Sequence, residues 1–143
     1  MTVKAILDAK GFDVATIEPT ADIGSAVKRL AQHRIGALVV VGPDRRVVGI
    51  ISERDIVRAL AERGGAALRE PIGEVMTSKV VTCTCADTMS SVMERMTAGK
   101  FRHLPVVQEG CLIGIISVGD VVKYRVQQFE FESAALRDYI RSA

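Results

Sequence analysis

The sequence is short of long apolar runs. Its longest uninterrupted one, Ile35 to Gly42, is ended by Pro43-Asp44. A membrane-spanning helix needs about twenty such residues, so none is expected and no membrane partner follows. The opening Met1-Thr2-Val3-Lys4 has no long apolar region behind it and soon meets Asp8. It does not read as a secretion signal. Cysteine is scarce: Cys83, Cys85 and Cys111 cannot all pair within one chain. The expectation is reduced thiols in a cytoplasmic protein. An excess of one charge is also missing, since 19 Lys+Arg against 17 Asp+Glu leave +2. That balance argues against a nucleic-acid partner, whose phosphate backbone selects strongly basic surfaces. At 143 residues the chain is too short for a (β/α)₈ barrel, which needs roughly 200 or more. There is no Gly-x-Ser-x-Gly elbow, P-loop or Gly-x-Gly-x-x-Gly fingerprint, and no nucleophile–base pair stands out, so the expectation is not an enzyme. Cys83-x-Cys85 puts two thiols on one face of a strand. Only Cys111 and two scattered histidines remain to complete a tetrahedral zinc set, and no metal site is expected.

What is present is an ordinary globular composition, 48% hydrophobic and 25% charged, and an internal repeat. Gly49-Ile50-Ile51-Ser52-Glu53-Arg54-Asp55-Ile56-Val57 recurs as Gly114-Ile115-Ile116-Ser117-Val118-Gly119-Asp120-Val121-Val122, at an offset of 65. Leu38-Val39-Val40-Val41 answers to Leu104-Pro105-Val106-Val107 at 66, and Ala21-Asp22 to Ala86-Asp87 at 65. Each copy reads β-α-β-β-α. A β-prone stretch (Ala15-Thr16-Ile17, or Lys79 to Cys83) precedes a helix opened by Asp22 or Asp87. The apolar face of that helix is marked by Ala26, Val27 and Leu30, or by Val92, Met93 and Met96. Aliphatic strands follow at Ala37 to Val41 and His103 to Val107, then turns, then strands at Val47 to Ile51 and Leu112 to Ile116. A helix capped by Ser52 or Ser117 closes each unit.

One unit of about 60 residues buries too little surface to be stable alone. Two related units packing sheet against sheet about a pseudo-two-fold axis solve this. The division expected is 1–62 for the first repeat with its N-terminal helix, 63–71 for a linker, 72–126 for the second repeat and 127–143 for a helical tail. Short apolar-patterned segments, Val3/Ile6/Leu7 and Ile72/Val75/Met76, read as helices bracing the sheets. From Val122, small or apolar residues fall at Val126, Phe129, Ser133, Leu136 and Ile140, a heptad seam. It is either an amphipathic helix folded on its own domain or a dimer contact.

Ser52-x-x-Asp55 and Ser117-x-x-Asp120 have the form of a capping box. A carboxylate at a helix start can also accept both hydroxyls of a ribose, and the two roles can alternate. Lys100-Phe101-Arg102-His103, just before a buried strand, offers cations for a phosphate; the first repeat has Arg34-Ile35-Gly36-Ala37 there.

These residues carry a resemblance. Val48 to Val57, His103 to Val107, Leu112 to Val122 and Val75-Met76-Thr77 together resemble the CBS domain, and the chain is similar to a stand-alone bacterial CBS-domain pair, a Bateman module. The resemblance implies an α/β (α+β) fold of two CBS repeats packed sheet to sheet, plus a C-terminal helix. It implies a regulatory module that senses adenine nucleotides or related adenosyl ligands (AMP, ADP, ATP, NAD(H), S-adenosylmethionine) in clefts between the repeats. No cofactor is required beyond that regulatory ligand. A homodimer and a regulated protein partner are implied too. Carried over by position, cleft one holds Ser52, Arg54 and Asp55 with Val80, Val81, Thr82, Arg102 and His103. Cleft two holds Ser117 and Asp120 with Thr16, Ile17, Gly36 and Ala37. Cleft two departs from the phosphate-binding pattern, so cleft one is the expected nucleotide site. The alternative is a ligand-free dimerisation module.

Overall fold

A computed structural model describes residues 1–142. It is a mixed α/β pair of repeats. Helix α1 (Val3–Lys10) leads to β1 (Thr16–Ile17), α2 (Ile23–His33), β2 (Ala37–Val41), β3 (Val47–Ser52) and α3 (Glu53–Arg63). After a 3-10 turn over Gly64–Arg69 come α4 (Ile72–Val75), α5 (Met89–Gly99), β4 (His103–Gln108), β5 (Cys111–Ser117) and α6 (Val118–Ser142). In the first repeat β2 pairs with β1 in parallel and with β3 antiparallel, Ala37 opposite Ser52. In the second, β4 and β5 pair antiparallel with His103 opposite Ser117.

The second repeat lacks a full counterpart of β1. Over the predicted strand Lys79 to Cys83, only Cys83 bridges Val106. The cause is a single residue. In the first repeat the Val39 N–H donates to the Ala15 carbonyl at 3.3 Å. Pro105 stands where Val39 stands, and proline has no N–H to donate. The ladder shrinks to the bonds on either side of Cys83, from its own N–H to Pro105 O (3.0 Å) and from Val107 N–H to Cys83 O (2.9 Å).

The helix starts correct the expected repeat register. Asp22 caps α2, its carboxylate accepting from Ser25 N–H at 2.7 Å. Thr88, not Asp87, caps α5, its hydroxyl accepting from Ser91 N–H at 3.2 Å. Asp87 instead accepts from Thr84 N–H at 2.7 Å and from Arg95 at 3.3 Å. The true offset is therefore 66 from the first strand to the hairpin. It becomes 65 only after the turn, where the second repeat is one residue shorter. Arg29 on the Thr16 carbonyl and Arg95 on the Thr82 carbonyl repeat at the same 66.

Two cores form, and the bracing helices cross between them. Leu38, Val40, Ile51 and Ile56 pack with Ile72 of α4, while Leu104, Val106 and Ile116 pack with Val3, Ile6 and Leu7 of α1. Each repeat thus completes its core with the helix that sequence order attaches to the other, and each such side chain contributes about 1.5–3 kcal/mol. Backbone bonds hold the crossing: Val3 N–H to Asp87 O (2.9 Å) and Ile72 N–H to Ala21 O (2.8 Å). Gly114 lies so close under Leu7 that an added Cβ would come within 2.8 Å of it; Gly49 is likewise covered by Met76. On the other face of β2, Ala37 and Val39 are also buried. Val27, expected on the apolar face of α2, is 38% exposed rather than buried.

Helix α6 has 25 residues and runs on from Ser117 without a break. At 1.5 Å per residue it is about 37 Å long. Only Val121 is buried and Tyr124 packs partly against the second core. The seam beyond is bare, with Phe129 70% and Ile140 64% exposed. The tail does not fold against its own domain. No helix among the described residues is long and apolar enough to cross a membrane.

Candidate functional site

Each repeat ends a strand in Ser and begins a helix with Asp three residues later, and both pairs close as capping boxes. Ser52 N–H and Oγ donate to Asp55 Oδ2 at 2.9 and 3.1 Å, and Asp55 N–H donates back to Ser52 Oγ at 3.4 Å. Ser117 and Asp120 repeat the arrangement at 2.8, 3.0 and 3.2 Å. The first carboxylate keeps Oδ1 outside the box, met by the Thr77 hydroxyl at 3.4 Å, and Asp55 is 8% exposed.

Two clefts open between the repeats. Gly36, Ala37, Arg102 and His103 line both, as residues beside a pseudo-two-fold axis must. Cleft one has a volume of about 610 Å³ and is walled by Ile50, Val80, Val81 and Phe101. That volume suits a small-molecule ligand. Ser52, Arg54, Asp55, Val80, Val81, Arg102 and His103, all expected here, do line it. Lys79, Lys100 and Arg58 add further cations, and Thr77 a hydroxyl. Thr82 lies outside the lining. Its carbonyl holds Arg95 at 2.9 Å, and the chain turns into the core at Cys83, where burial pushes the thiol up to about 12.

Cleft two, about 990 Å³, is lined by Ser117, Val118 and Gly119 with Val14, Ala15, Gly36 and Ala37. Thr16 and Ile17 do not line it. Their pairing with Val39 and Val40 turns them into the sheet, and Ile17 is buried in the first core. The two residues before the strand, Val14 and Ala15, take the wall positions that Val80 and Val81 hold in cleft one. Nor does Asp120 reach the lining; Lys10 Nζ closes on its Oδ2 at 2.7 Å. Burial pushes the Asp120 carboxyl up, but the Lys10 ammonium and the Ser117 N–H outweigh that and hold it below the usual carboxylate range. Cleft two is also less bare of cations than the sequence suggests, since Lys10 and Arg34 line it.

His103 sits where the repeats meet, next to Gly36. Burial, with Lys10 and Arg102 nearby, holds its imidazole below the ordinary value, so at neutral pH it is an uncharged donor and acceptor. Arg34 and Lys100 end α2 and α5 in the left-handed conformation at φ 54° and 56°, where glycine would be unstrained. Each repeat spends that strain on a cation facing a cleft. Lys100 was legible from its place before the strand. Thr77, Lys79 and Arg58 were not, because nothing local marks them.

The doubled Ser-x-x-Asp helix starts, the crossed bracing helices and the paired clefts set the fold against known proteins. The family profile described as CBS domain matches residues 3–62 and 72–127. The chain belongs to the CBS-domain family. Among solved structures this CBS pair is similar to the CBS-domain containing protein ATU1752 from Agrobacterium tumefaciens. The two are 49% identical with a TM-score of 0.83, over 87% of this chain and 99% of that one. It is also similar to CBS domain protein PAE2072 from Pyrobaculum aerophilum, complexed with AMP, at 30% identity and a TM-score of 0.75, over 84% and 89%. The CBS domain pair of protein MJ0100, in complex with 5-methylthioadenosine and S-adenosyl-L-methionine, is 27% identical with a TM-score of 0.76, over 90% and 98%.

Proposed function

We propose that this CBS pair is a regulatory module whose cleft one binds a phosphate-bearing adenine nucleotide. One observation carries the reading: cleft one holds the buried Asp55 carboxylate together with Arg54, Arg58, Lys79, Lys100 and Arg102 around an apolar wall. In this reading Asp55 Oδ1 accepts from ribose hydroxyls and Ile50, Val80 and Val81 flank the base. The cations, Arg102 foremost, hold the phosphate. The adenosyl ligands of PAE2072 and MJ0100 support the ligand class, and the cluster of cations favours the phosphorylated members of it. The reading assigns binding and no reaction. Binding shifts the packing of the repeats only insofar as the ligand prefers one arrangement, and a protein partner reads that shift. Three free thiols support a reducing, cytoplasmic setting.

The second reading is a ligand-free dimerisation module. The bare seam of α6 favours it, and that seam also supports a homodimer under the first reading. Melting with AMP, ADP, ATP, NADH and S-adenosylmethionine separates them. At a hundredfold excess over Kd a ligand adds about 2.7 kcal/mol, a rise of very roughly 5–10 °C for a domain of this size. No shift with any of the five at millimolar concentration leaves the dimerisation module standing.

A further inference from the structure

The residue before the buried strand differs between the repeats: Gly36 in the first, Arg102 in the second. Their backbones play the same part. Gly36 O accepts from Glu53 N–H at 3.0 Å and Arg102 O from Val118 N–H at 2.8 Å, so each ties a strand to the helix start of its own repeat. Both residues line both clefts, together with Ala37 and His103. The partition between the clefts therefore takes its long side chains from the second repeat alone. The His103 imidazole stands at that partition, its Cε1 3.7 Å from where a Gly36 Cβ would lie. His103 is uncharged at neutral pH, which leaves Arg102 as the one charged residue, among those described, that lines both clefts. Nothing within the chain claims that charge. Lys10 is held by Asp120 and Arg95 by Asp87, whereas Arg102 is exposed and has no ion-pair partner among the described residues.

We infer that the two clefts share Arg102, so that a phosphate held in one weakens the binding of a phosphate-bearing ligand in the other. The inference rests on the proposed reading of cleft one as a nucleotide site. With the Arg102 carbonyl pinned by Val118 N–H, the side chain is the part free to turn. A guanidinium turned into one cleft to grip a phosphate is turned away from the other. The second ligand to bind does without it. Arg34 remains in cleft two, so a second ligand is weakened there rather than refused. Losing a bond to a charged group weakens binding by about 10- to 150-fold. By linkage each ligand weakens the other by the same factor. Adenosine carries no phosphate and feels no such coupling.

Amide NMR reads the two clefts separately, because Arg54 lines only cleft one and Gly119 only cleft two. In wild type titrated with AMP, the Arg54 signal should move first and the Gly119 signal at a concentration at least about tenfold higher. Val81→Trp fills cleft one from its exposed wall and leaves Arg102 untouched. In that variant Gly119 should report AMP at least about tenfold tighter than in wild type, with its response to adenosine unchanged. Asp55→Ala, which weakens cleft one by a different route, should tighten AMP in cleft two in the same direction. Melting curves check that each variant is folded. Adding Arg102→Ala to Val81→Trp should return AMP in cleft two to its wild-type weakness. A site that stays tight there traces the coupling to repulsion between phosphates and overturns the inference, as does a wild type whose two signals move together. If Gly119 behaves alike in wild type and both single variants, or if adenosine gains as much as AMP, the inference falls and the proposed function stands. If AMP moves neither signal in wild type at millimolar concentration, both fall.

Discussion

Replacing Asp55 by alanine separates two jobs that one carboxylate performs. In the unliganded protein Asp55 Oδ2 accepts from Ser52 N–H at 2.9 Å and Ser52 Oγ at 3.1 Å. Losing this half of the capping box should cost about 1 kcal/mol of stability, within the usual 0.5–2 for a helix cap. For a chain of this size that is a melting decrease of roughly 2–4 °C. The Oδ1 atom is assigned to ribose, and losing hydrogen bonds to a charged acceptor costs roughly 1.5–3 kcal/mol. Affinity for AMP and for adenosine should therefore fall alike, by about 10- to 150-fold. Ser52→Ala is the control, because it removes the other half of the box and spares the ribose acceptor. It should lower the melting temperature by a similar amount and reduce affinity much less. Scanning fluorimetry of the unliganded proteins reads the first job and calorimetry with both ligands reads the second. If Asp55→Ala melts lower but binds AMP and adenosine as wild type does, Asp55 is a cap alone and the ribose assignment is wrong.

Arg102→Ala should weaken AMP strongly and adenosine little, since only AMP carries a phosphate; equal losses for both ligands would make Arg102 structural and move the phosphate elsewhere. Truncation after Lys123 removes the exposed Val126, Phe129, Leu136 and Ile140 of α6 and should reduce dimerisation in light scattering, whereas a truncated chain of unchanged assembly excludes the seam as the contact. Asp120 has its folded pKa depressed below the ordinary 3.8, so its stabilisation is complete above that value and is lost as pH falls through the folded value. Asp120→Asn should accordingly melt lower than wild type near neutral pH, with the gap closing below about pH 4; a gap that stays constant from about pH 6 to about pH 3 would refute the ion pair's part in stability.

How much of this was legible beforehand depends on the range of the interaction. The doubled Gly-Ile-Ile-Ser motif, the order of elements in each repeat, the strand Ala37–Val41 and the cap at Ser52 follow from local rules: periodicity, turn chemistry and side chains that reach backbone three residues away. Pro105, standing where the first repeat has Val39, already dictates that the strand near Cys83 be cut short. Asp87 against Thr88 was a choice of register that a one-residue difference in the hairpin turn concealed.

The rest belongs to tertiary structure. That α1 completes the second core and α4 the first is a matter of which apolar surfaces find cover, and nothing in the order of the chain states it. The wall of cleft two moves from Thr16-Ile17 to Val14-Ala15 because pairing with β2 draws the strand itself into the sheet. The heptad spacing of α6 was visible, but only packing left it bare rather than folded back. Local patterning sets two like units and their two like carboxylates. Lys10 lies 110 residues from Asp120, so it took the assembled fold to make those carboxylates unlike.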